Sequence, residues 1–87
     1  MNAHQRRVHR RAERRAAITA CIHEAVAHAT AATAYQREAK AWAALAGIDP
    51  RPGTVAAYRG CAQQAAVQSA LACAQSIKAL ADMGMTR

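Results

Sequence analysis

Six arginines stand within ten consecutive positions as three adjacent pairs, Arg6-Arg7, Arg10-Arg11 and Arg14-Arg15. The pairs recur every four residues. On a helix, positions 6, 10 and 14 therefore form one row, and positions 7, 11 and 15 form a second row beside it. A guanidinium is permanently charged and presents a planar fork of donors that matches phosphate and carboxylate oxygens. The first 15 residues contain one acid, Glu13, and carry a formal charge of +5; the remaining 72 residues hold six bases and four acids, for +2. The charge thus belongs to the N-terminal arm and not to the surface at large. Such an arm suits phosphates, an acidic protein surface or an anionic membrane.

The arm's composition narrows its chemistry. Positions 6–15 contain no aromatic residue, so stacking on single-stranded bases is not expected. They also contain no Asn or Gln to read adenine edges, which leaves weak sequence preference or arginine–guanine contacts. The expected site is Arg6, Arg7, Arg10, Arg11, Arg14 and Arg15, with nucleic acid or an acidic protein or nucleoprotein as partner. The competing explanation is a solvated, solubilising helix face.

Other chemistry is weakly represented. His4, His9, His23 and His28 accompany Cys21, Cys61 and Cys73, yet no two of them have the i, i+4 spacing of a helical zinc site. The single geometric candidate is His28 opposite Cys73 across a hairpin, and no metal is expected there. His23-Glu24 fails the HExxH pattern because position 27 is alanine. The five acids are scattered, and no nucleophile–base arrangement or glycine-rich phosphate loop stands out. Neither catalysis nor a cofactor is expected. The three aromatics, Tyr35, Trp42 and Tyr58, are few; Trp42 and Tyr58, with Arg51 and Arg59, suggest a second, partner-binding end near the turn.

These residues must be carried by helices. Residues 3–46 contain no Gly or Pro and read as one long helix, or as two meeting near Ala16-Ala17, with Asn2 as N-cap. Ile18, Ala25, Ala32, Ala39 and Ala46 recur at seven, as do Cys21, His28, Tyr35 and Trp42; together they form a seam. Gly47 to Gly53 is the break: Gly47 is expected in the left-handed C′ position, Pro50 and Pro52 forbid continuation, and Thr54 is expected to cap the second helix. That helix is expected to present Ala66, Ala70, Cys73, Ile77 and Leu80. The divisions are a basic arm over 1–17, helices over 18–46 and 54–83 with a loop at 47–53, and a frayed tail at 84–87. Residues facing each other in the hairpin should have numbers adding to about 101.

The fold class expected is all-α: a long antiparallel helical hairpin with a basic N-terminal helical extension. Alanine occurs 26 times, Val, Ile and Leu together 11 times, and Phe never. Alanine is the best helix former but buries little apolar area. Two such helices need more core, and a homodimer closing a four-helix bundle over the alanine seams is the expected source. The odd cysteine count favours a reducing, cytoplasmic setting. No apolar run approaches the roughly 18 residues of a membrane span. The function expected is that of a non-enzymatic binding protein whose arm contacts nucleic acid or a nucleoprotein complex. The alternative is an inhibitor of the kind that phage and mobile-element genes encode, acting on a host defence protein through protein–protein contacts.

Overall fold

The structure, a computed structural model, describes residues 2–84. Met1 and residues 85–87, which include most of the tail expected at 84–87, lie outside the described residues. Two helices, α1 (Ala3–Ile48) and α2 (Pro52–Asp82), pack against each other as a hairpin. The fold is all-α, and no helix among the described residues is long and apolar enough to cross a membrane.

Asn2 caps α1 as expected, through a reciprocal capping box. Its Oδ1 accepts from the Gln5 N–H at 2.9 Å, and Gln5 Oε1 accepts from the Asn2 N–H at 3.0 Å. The helix then runs without interruption through Ala16-Ala17. Nothing in 46 residues of mostly strong helix formers supplies a break.

The turn is shorter than expected. α1 passes through Gly47 to Ile48, and among the described glycines only Gly84, after α2, has a positive φ (72°). Glycine permits a left-handed residue but does not require one. The stop comes from Pro50, which drives the residue before it out of the helical region; Asp49 sits at φ −136°, ψ 89°. Thr54 is likewise not the cap of α2. Arg51 holds the N-cap position, Pro52 opens the helix where its missing N–H costs nothing, and Thr54 is buried one turn inside.

The seam read along α1 is the face that packs, except at Trp42, which is exposed. Cys21, Ala32 and Ala39 are buried, and Ile18, Ala25, His28, Tyr35 and Ala46 are half-buried. On α2 the expected face is not the one that packs. Ala66, Ala70, Cys73, Ile77 and Leu80 are all exposed, and the inward row is Thr54, Cys61, Ala65, Gln68, Ala72, Gln75 and Ala79. A three-residue turn fixes the rotation of α2, and the inward row begins at Thr54 once the helix starts at Pro52. The row through Ile77 and Leu80 then falls roughly 100–160° to one side.

Core residues are small throughout: apart from Thr54, the buried set is Cys21 and the alanines at 32, 39, 65 and 79. The molecule measures 69 × 23 × 14 Å. Its long axis is α1 itself, since 46 residues at about 1.5 Å each make roughly 69 Å. α2 is 15 residues shorter (46 against 31), or about 22 Å. Because small residues set the helix spacing, Ala32→Leu or Ala65→Leu should cost about 1–3 kcal/mol in chemical denaturation. Ala44→Leu, on the outward side, should cost under about 0.5 kcal/mol.

Candidate nucleic-acid interface

All six arginines of the arm are exposed and lie on the uninterrupted first part of α1. Helical phase relates each row to the hairpin. Arg6, Arg10 and Arg14 continue the direction of the packing seam, past the point where α2 ends. Arg7, Arg11 and Arg15 lie on the adjoining flank. The seam-side row meets the end of α2 in a groove lined by Arg7, Arg10, Arg11, Glu13, Arg14, Ala17, Ala81 and Asp82. Four guanidiniums against two carboxylates leave this groove a formal +2. A second groove, lined by Val8, Arg11, Arg14 and Arg15, carries no acid at all. Arg14 lines both.

Glu13, the single acid of the arm, lines the first groove but pairs with a histidine and not with an arginine. Its Oε1 lies 2.9 Å from His9 Nε2, one turn back along the helix. Among the described residues, none of the six arginines forms an ion pair. Their neighbours along each row are instead other arginines, and like charges at i, i+4 disfavour a helix by about 0.2–0.5 kcal/mol per pair. The first turn of α1 has no acidic residue to meet the positive end of its dipole. The arm is therefore a helix short of negative charge. The opposite side of the arm has no arginine or carboxylate in its shallow groove, where Val8 and Ala12 lie beside His4, Gln5 and His9.

The turn end is less coherent. Arg51, Trp42, Tyr58 and Arg59 are all exposed, Trp42 and Tyr58 only marginally so. Arg51 Nη2 is paired to Asp49 Oδ2 at 2.6 Å across the turn. Tyr58 lines a shallow groove with Gln36, Ala39, Ala62, Ala65, Ala66 and Ser69, on the flank away from Trp42. The four residues thus do not line a common cleft.

The hairpin centre holds two polar bridges. His28 does not face Cys73; its Nδ1 lies 2.6 Å from Gln68 Oε1, and its Nε2 lies 3.8 Å from Glu24. Gln68 is one of four glutamines on α2, and its place in the inward row is what distinguishes it. No cluster of metal-ligating residues occurs among the described residues. Cys61 donates to Glu38 Oε2 at 3.5 Å. Partial burial, then this hydrogen bond and the carboxylate's charge, push the Cys61 thiol above its ordinary value, so it is a poor nucleophile.

No protein-family model, no curated protein and no solved structure matches this chain.

Sequence reasoning missed Ala81 and Asp82 as neighbours of the arm, because a wall made by the end of another helix has no local signature. It also missed the Gln5 half of the capping box, although Asn followed three residues later by Gln is a visible signal. Two outcomes follow from the bridges. Gln68→Ala should destabilise the hairpin by about 1 kcal/mol in urea melts. Glu38→Gln should raise the alkylation rate of Cys61 near pH 8 relative to the wild-type chain, because it removes the carboxylate's contribution to holding the thiol protonated.

Proposed function

We propose that this chain is a non-enzymatic binding protein, acting as a homodimer, whose N-terminal arginine rows contact the phosphates of a nucleic acid. One observation carries the reading. Six exposed arginines lie in two adjacent rows on a single continuous helix, and none has a carboxylate partner among the described residues. Structural arginines are ordinarily paired; these are left for something outside the chain.

The geometry suits a duplex. A helix is about 10–12 Å across with its side chains, and the major groove of B-form DNA is about 12 Å wide. The arm extends about 22 Å beyond α2, so the hairpin body need not collide with the backbone. The acid-free groove of Arg11, Arg14 and Arg15 is the natural seat for a phosphate. Without residues that read adenine edges or stack on bases, affinity rests on charge and discrimination between sequences is weak.

Binding to unrelated duplexes should be comparable and steeply salt-dependent. If each arginine neutralises one phosphate, log K should fall against log salt with a slope of about −5 per chain. The variant Arg6→Ala, Arg10→Ala, Arg14→Ala should flatten that slope by about 3. Binding that ignores salt, or no binding to any nucleic acid, overturns the reading. A nuclease-resistant complex with an acidic protein would reassign the arginine rows to a protein surface.

A further inference from the structure

The packing of the hairpin uses up the alanine seam that a dimer was expected to share, and leaves larger aliphatic residues outside. Ile22 and Val26 on α1 are 42% and 59% exposed; Ile77 and Leu80 on α2 are 63% and 41% exposed. Helical phase puts Ile22 and Val26 on one flank of α1, about 105–145° from the seam, and Leu80, Cys73 and Ile77 at a similar angle on α2. Antiparallel helices wind in opposite senses when viewed from one end, so these two flanks lie on the same side of the hairpin. The residues also lie at the same height, since Cys21 and Ala79 are buried at that level of the interface. Together they make one apolar cluster, extended along both helices by Ala29, Ala66 and Ala70, all exposed.

Around this cluster the side is free of charge, which resumes only at its ends, with Arg15 and Lys40 on α1 and Arg59 on α2. Between residues 18 and 36 the one Asp, Glu, Lys or Arg is Glu24, and between 62 and 80 it is Lys78. Both project to the other side of the hairpin. That other side also exposes Val67 and Leu71, but it mixes them with Glu24, Glu38 and Lys78. Buried interface cores are depleted in charge, so the two sides are not equivalent as contact surfaces.

The exposed area indicates the size of the missing partner. A folded monomeric protein of 9.2 kDa should expose about 4,900 Å². This chain exposes 6563 Å², an excess on the order of 1,600 Å². Standard interfaces bury about 800 Å² per partner, and obligate homodimers bury more. The uncovered arm and the exposed aliphatic flanks both contribute to this excess.

We infer that the face formed by Ile22, Val26, Cys73, Ile77 and Leu80 is covered by the same face of a second copy of this chain. The inference rests on the homodimer reading above and names its interface. A two-fold contact between identical faces is self-complementary, and an apolar, charge-free face suffers no like-charge penalty on meeting itself. The arginine flank of Arg7, Arg11 and Arg15 adjoins this face, so dimerisation brings two basic arms to one assembly and doubles the phosphates it can engage.

The test is sedimentation equilibrium on the full chain and on two variants, Ile77→Glu and Leu71→Glu, with circular dichroism as a check on helicity. The wild-type chain and Leu71→Glu should be dimers, and Ile77→Glu should be a monomer or dissociate at least tenfold more readily. A wild-type monomer overturns both the dimer and the face. A dimer lost in Leu71→Glu but kept in Ile77→Glu overturns the face alone and leaves the dimer standing. If Ile77→Glu does not fold, alkylation of Cys73 in the wild-type chain decides. It should slow as protein concentration rises through the dissociation midpoint, and a rate independent of concentration overturns the interface.

Discussion

Close approach of two helices over small side chains is the constraint from which the rest of this structure follows. Alanine on both sides of the seam brings the backbones together, and no larger residue could occupy positions 32, 39, 65 or 79 without pushing them apart. The same choice limits the stabilisation gained, because an alanine removes little apolar area from water. Larger aliphatics are placed on the flanks, where the hairpin alone does not bury them. A chain built this way holds its shape through helix propensity and close packing, and it leaves apolar surface uncovered on its flanks.

The arm depends on the same helix. α1 does not end where its partner ends, so the seam direction passes without a break from alanine to arginine. What is inward-facing beside α2 becomes open beyond it. Arg6, Arg10 and Arg14 occupy phase positions that a longer α2 would have covered, and the end of α2 forms one wall of the groove that Arg10 and Arg14 line. Presenting the arginines on a preformed helix lowers the ordering entropy that a flexible tail would lose on binding. The electrostatic strain of the rows acts in the same direction. Like charges along each row and the positive end of the helix dipole are both relieved by a bound polyanion.

Much of the fold was legible because helices announce themselves through what they lack. The absence of Gly and Pro from residues 3–46, the seven-residue seam through Ile18 and Cys21, and the prolines at 50 and 52 suffice for a hairpin and for the packing face of α1. The face of α2 was not legible. Its rotation depends on the exact length of the turn, and the apolar spacing that singled out Ala66, Ala70, Cys73, Ile77 and Leu80 carries no information about that. Hydrophobicity favoured Ile77 and Leu80, whereas the close spacing set by alanine admitted Thr54, Cys61 and Ala65 instead. The arginine rows could be read as a candidate site from charge and spacing alone. Their acidic neighbour Asp82, 67 positions after Arg15 in the chain, and the pairing of Arg51 with Asp49 required the three-dimensional arrangement.

Residue-resolved hydrogen–deuterium exchange, with and without an unrelated DNA duplex at moderate salt, tests the central claim most directly. Relief of charge strain in the arm predicts slower exchange over residues 5–17 when the duplex is present. Little change is predicted at the turn, around Trp42, Arg51 and Tyr58. Protection confined to the turn end, or an arm whose exchange is indifferent to the duplex, would contradict the account.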